Sequence, residues 1–109
     1  MKYLKSFENL QNIIKYGYYV TIKTPDDYHS IDYNEFLKYH IGRVELIDGD
    51  FRLCYIYVNF IFNNNDTKEI RTQFNYLQPF NINKVDLYAP TLEELKIKIK
   101  TKKYNLWNI

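Results

Sequence analysis

The side chains best suited to acid–base, nucleophilic or metal chemistry in this chain are few: His29, His40 and Cys54. A metal site needs several closely spaced ligands, and only His29, which follows Asp26 and Asp27, has acidic neighbours. The same stretch, opened by Pro25, reads as a solvated turn with helix-starting acids, so no metal site and no cofactor are expected. His40 falls at the end of a predicted helix, where a protonated ring complements the negative end in a structural role. Cys54 lies mid-strand between Leu53 and Tyr55, whereas a nucleophilic thiol needs exposure and an electropositive setting. The chain contains no G-x-S-x-G, no H-E-x-x-H and no phosphate-cradling glycine loop. These residues predict a protein that is not an enzyme and has no catalytic residue.

Two groups of side chains point instead to binding. Lys96, Lys98, Lys100, Lys102 and Lys103 form a local basic concentration with no acid after Glu94. Such a cluster could contact phosphates through a helix face, although cations in the last turns of a helix also stabilise it by roughly 0.3 to 1 kcal/mol without any ligand. If Tyr55, Tyr57 and Tyr76 share an exposed sheet face they could stack bases, with Arg71 and Lys68 near for phosphates. The second group is the tyrosines, twelve in all. A buried phenol needs a hydrogen-bond partner and exposed tyrosine is enriched in interfaces, so Tyr16, Tyr19, Tyr28, Tyr33 and Tyr39 are candidates for a protein-binding surface. Against this, a chain skewed to Ile, Asn, Lys, Tyr and Phe with a single alanine, Ala89, is what A/T-rich coding sequence produces.

The elements that must position these groups are legible from periodicity. Ser6 caps a first helix whose residues Phe7, Leu10, Ile13 and Ile14 share a face, and Gly17 stops it. Tyr18 to Thr24 alternates as a first strand. Asp32 and Glu35 form a capping-box-like start to a short second helix, with Ile31 and Phe36 as a staple, ending near His40 at a left-handed Gly42. Arg43 to Ile47 then pairs with a long strand, Phe51 to Phe62, through a two-residue turn at Asp48-Gly49. That register sets Leu46 opposite Phe51, Val44 opposite Leu53 and Glu45 opposite Arg52. Because the long strand is apolar in both alternation classes, each of its faces is expected to be covered. Glu69 to Leu77 is read as a third antiparallel partner ended by Pro79, and Lys84 to Tyr88 as a short strand. Thr91 and Glu94 box a last helix carrying Leu92, Leu95 and Ile99 and ending near Lys103, with Leu106, Trp107 and Ile109 packing back as a tail.

The chain therefore predicts one α+β domain over residues 1–109: a mainly antiparallel, twisted sheet of four or five strands, packed by N- and C-terminal helices, with a short helix inserted between the first and second strands. Apolar residues make up 46% of the 109 and aromatics 18%, enough to fold. A net charge of only +2 gives no global field for nucleic acid. A lone cysteine fits a reducing, cytoplasmic setting, and no segment resembles a signal peptide or membrane span. The expected function is a small non-enzymatic binding protein acting stoichiometrically on a protein partner, such as a phage or mobile-element inhibitor or accessory factor of a host system. The alternative is a nucleic-acid or nucleotide binder using the sheet tyrosines and the lysine cluster. A second copy of the chain is also a candidate partner.

Overall fold

The computed structural model describes residues 13–24, 31–49 and 53–107, without the side chains of residues 31, 32 and 104–107. Of the expected N-terminal helix, residues up to 12 lie outside the described residues, as do Asp26, Asp27, Tyr28, His29 and Ile109; Ile13 is helical, but residues 14–17 have already left the helix for a turn at Gly17, whose φ is +86°. The elements are β1 (Tyr19–Ile22), α1 (Ile31–Tyr39), β2 (Gly42–Gly49), β3 (Cys54–Phe60), α2 (Lys68–Gln73), β4 (Gln78–Asn81), a 3₁₀ turn (Ile82–Lys84), β5 (Val85–Ala89) and α3 (Leu92–Trp107). The strands form a five-stranded sheet in the order β4-β3-β2-β1-β5, and every neighbouring pair is antiparallel. This is the α+β architecture expected, with α1 between the first two strands and a helix at the C-terminal end.

The core lies on one side of the sheet. Val20, Val44, Ile56, Val58 and Phe60 project into it together with Phe36 and Leu37 of α1. Phe36 is its centre. Its ring stacks on Phe74 at 3.8 Å and on His40 at 3.9 Å, and meets Phe60 edge-on at 5.1 Å. Offset and edge-to-face aromatic pairs of this kind contribute about 0.5–1.5 kcal/mol each beyond area burial. Helix α3 packs against β5 and β1. There Ala89 and Leu95 are wholly buried but stand apart from the main cluster, because Ala89 pairs with Tyr19 and so lies on the face opposite Val20, which α3 covers at this end of the sheet.

Three features of the sheet depart from the sequence reading. First, the hairpin does not close at Asp48-Gly49: Gly49 pairs with Cys54, Leu46 faces Tyr57 and Val44 faces Val58, leaving residues 50–53 as the connection. The longer connection lets Val44 and Ile47 meet Val58 and Ile56 on the core side, and Glu45 becomes a bulge residue between Val44 and Leu46. The expected pairing of Leu46 with Phe51, and of Glu45 with Arg52, is replaced. Gly49 still needs its glycine, because its φ is +117°.

Second, Gly42 does not stop α1 in a left-handed conformation. It lies within β2, where an added Cβ would come within 2.0 Å of Val58 Cγ1, so its role is close strand packing. The end of α1 is met by His40, whose ring bonds the Phe36 carbonyl at 2.9 Å. The helix begins at Ile31, one residue before the expected cap at Asp32.

Third, the segment read as a strand from Glu69 is helix α2. Thr67 is its N-cap, accepting from the Ile70 amide at 3.2 Å, and Glu69 sits in the first turn. Ile70 and Phe74, taken for one strand face, are equally four apart on a helix, and Phe74 is buried. The strand that pairs with β3 is β4, and it contains Pro79 instead of ending there. A proline is tolerated because β4 is an edge strand. At the C-terminus, Thr91 caps α3 through the Glu94 amide at 3.2 Å. The helix runs through Leu106 and Trp107 because no glycine or proline after Lys103 breaks it, so these two are not a packed-back tail.

Candidate functional site

Strand β3 alternates strictly between buried and open positions, so only one of its faces is covered. Cys54, Ile56, Val58 and Phe60 are buried, while Tyr55 is 38% exposed, Asn59 is exposed and Tyr57 is half-buried. The expectation of a cover on both faces is thus corrected. The aromatic residues in the second alternation class reflect phenols able to keep a hydroxyl in water while their rings lie on the sheet. Register defines the rows they stand in. Leu46, Tyr57 and Pro79 run across β2, β3 and β4, and Asp48, Tyr55 and Asn81 run beside them. Leu46 is 50% exposed, and Leu53, Ile61 and Leu77 near the strand ends are exposed as well. Contiguous exposed apolar surface rimmed by polar groups is the usual mark of a contact site.

The charges on this face are few. Arg43, paired with Asn59 by register, bonds Glu45 at 2.9 Å and lies 5.2 Å from the Tyr16 ring centre. The Glu45 bond first, and Tyr16 next, push its pKa above the ordinary arginine value. Tyr19 pairs with Arg43 on β1 and is half-buried. Tyr16 and Tyr19 therefore border this face, Tyr19 standing between Arg43 and the buried Ala89 under α3. Tyr33 and Tyr39 do not join them, because both stand on α1, which packs on the core side. Tyr33 packs against the core near Phe74, with rings 6.2 Å apart, and its hydroxyl pKa is raised by burial and then by Tyr76. Tyr39 is exposed, with the Lys38 ammonium 5.4 Å from its ring.

The candidate nucleic-acid residues are separated. Tyr55 and Tyr57 stand on β3, whereas the lysines belong to α3 beside β5, three strand spacings away or roughly 14 Å. Lys98 bonds the Tyr88 carbonyl at 2.6 Å and lies 4.9 Å over that ring, and Lys102 pairs with Asp86. Lys96, Lys100 and Lys103 remain exposed at i, i+4 and i+7 on the helix. Arg71 is engaged locally. Its guanidinium donates to the carbonyls of Asn63 at 2.6 Å and Asp66 at 3.3 Å and lies 5.4 Å from the Phe62 ring centre. Tyr76 is exposed in the bend before β4, outside the Tyr55–Tyr57 rows.

A second cluster has the residue types of an acid–base site. His40 Nε2 lies 2.9 Å from Asp66 Oδ2, and the Asn63 amide donates to the same oxygen at 2.7 Å. The other ring nitrogen faces the Phe36 carbonyl. Each ring nitrogen thus has an acceptor within hydrogen-bond distance, and the Asn63 side-chain nitrogen stands 3.5 Å from Nε2. Burial alone would raise the Asp66 carboxyl pKa, but the bonds from His40 and the Asn63 amide, with the charges of His40 and Arg71, bring it below the ordinary value. With both nitrogens occupied the ring has none left for a substrate, and the cluster ties the loop after β3 to the end of α1. Among the described residues no group of three or more His, Cys, Asp or Glu could hold a metal ion. Cys54 is buried.

Sequence reasoning missed Leu46, Leu53, Leu77 and Pro79 as members of the open face. The alternation within Arg43 to Ile47 could have exposed Leu46 only if the bulge at Glu45 had been known. Asp66 as the partner of His40 carried no local signal, the two being joined only by the tertiary fold. The chain matches no family model, no curated protein and no solved structure. Among the described residues no helix is long and apolar enough to cross a membrane.

Proposed function

We propose that the chain is a small non-enzymatic binding protein that acts stoichiometrically on a protein partner through the open face of its sheet. The carrying observation is the alternation along β3, which leaves Tyr55 exposed and Tyr57 half-exposed beside Leu46 and Pro79. Tyrosine supplies broad contact area at low entropic cost, and aliphatic neighbours provide a dehydrated centre. The face carries Arg43, Glu45 and Asp48, and Arg43 is already paired. Its partner is accordingly an apolar or aromatic protein surface with a cationic rim to meet Asp48, and a polyanion is disfavoured. A buried thiol and A/T-biased usage support a reducing cytoplasmic setting and an inhibitor or accessory factor of phage or mobile-element type.

A photo-crosslinking residue at Tyr55, with the same residue at exposed Ile97 of α3 as control, tests this in lysate of an A/T-rich bacterium. The reading expects a discrete one-to-one adduct from Tyr55 alone, competed by unlabelled protein and lost in a Leu46→Glu variant. Equal labelling from both positions, or none, would refute it. The exposed row Lys96, Lys100 and Lys103 favours a second reading, phosphate contact through α3. Oligonucleotide binding that falls steeply with salt and disappears in the triple glutamine variant would replace the first reading with this one.

A further inference from the structure

We infer a binding site for a small anionic amphiphile, a single-chain aliphatic carboxylate, in the cleft between the β1–β5 end of the sheet and helices α1 and α3. The cleft holds about 450 Å³, within the usual range for small-molecule sites. Ile22, Leu37, Leu87 and Ile99 form its apolar lining, and Leu37 is buried to 1% exposure. Four lysines surround it, Lys23 from the end of β1, Lys38 from α1, and Lys102 and Lys103 from α3. Of the described residues one acid, Asp86, stands among them.

The lysines are not equivalent. Lys102 is held by Asp86, and Lys23 donates to the Asn83 carbonyl at 3.3 Å. Lys38 and Lys103, from different helices, have no carboxylate partner among the described residues. An apolar pocket with surplus positive charge contributed by two elements is complementary to a molecule with an apolar body and one anionic end. The lining also argues against a nucleotide. Among the described residues it contains no aromatic side chain on which a base could stack, and the Thr21 hydroxyl already accepts from the Leu87 amide at 3.1 Å. The site is separate from the open face of β3 and does not depend on the protein-binding reading.

Decanoate, titrated into the isotopically labelled full chain and followed by methyl NMR, tests the assignment. Saturable shifts are expected at Ile22, Leu37, Leu87 and Ile99, with affinity rising roughly fourfold per methylene across octanoate, decanoate and dodecanoate. A Lys38→Glu, Lys103→Glu double variant, altered only at exposed positions, should bind at least about tenfold more weakly at low salt. Ile99→Glu should abolish binding. The inference is overturned by absence of saturation at millimolar decanoate, by shifts confined to Leu46, Leu53 and Leu77, or by equal binding of decanol or decyltrimethylammonium. Preferential binding of adenosine monophosphate at the same methyls would overturn it as well.

Discussion

Replacing Asp66 by asparagine removes a charge while keeping the side chain's shape, and its cost follows from what the carboxylate touches. One oxygen faces His40 Nε2 at 2.9 Å and accepts from the Asn63 amide at 2.7 Å. Hydrogen bonds to charged groups contribute about 1.5–3 kcal/mol each. The side chains of His40 and Asp66 are only 8% and 11% exposed, so water screens the pair little. The single oxygen of asparagine can stand where both groups reach, so the loss is the charge assistance to the two bonds, about 2 kcal/mol together. The pH dependence has a definite sign. The folded carboxyl lies below its ordinary pKa, so its stabilisation is fully present above the unfolded value of about 3.9 and disappears as pH falls through the folded value. Urea unfolding followed by circular dichroism should give Asp66→Asn a clearly lower midpoint at pH 7. Its gap to the parent should close as pH drops below about 4. Equal midpoints at pH 7, or a gap that persists undiminished at pH 3, would refute the assignment of His40 and Asp66 as a stabilising pair.

Three further substitutions follow from the fold. Gly42→Ala puts a methyl against Val58 and should cost about 1–3 kcal/mol by overpacking, read from its urea midpoint. Thr91→Ala removes the N-cap of α3 and should cost about 1 kcal/mol, read from the same transition. Lys102→Gln breaks the ion pair with Asp86, but the two side chains are 49% and 32% exposed. Solvent screening holds the expected change to about 0.5 kcal/mol or less, and a larger loss would mean the pair is a structural tie.

The parts of the fold written into short-range pattern were legible: the alternation of β1, the short helix α1 around Phe36 ending near His40, and the Thr91–Glu94 cap of α3. Residues whose spacing satisfies two periods were not. Ile70 and Phe74 suit a strand or a helix, and the Thr67 cap decided for the helix. Register was illegible because Asp48-Gly49 has turn chemistry but lies inside the β2–β3 pairing, and the bulge at Glu45 inverts which residues of β2 face the core. The open face was hidden for a related reason. Tyr55 and Tyr57 are apolar by composition yet amphipathic in shape, so a run that looks buried on both sides is covered on one. The His40–Asp66 pair and the cleft beside Lys38 and Lys103 join residues from separate elements, which no linear pattern announces.

Carbene footprinting of the free protein, read residue by residue by mass spectrometry, addresses the central claim most directly. Heavy labelling of Leu46, Leu53, Tyr55 and Leu77, with Val44, Ile56 and Val58 unlabelled, is the predicted result. Protection of Leu46 and Tyr55 to the level of Ile56 would contradict a sheet whose second face, covered by α3 at β5 and β1, is open across β2, β3 and β4.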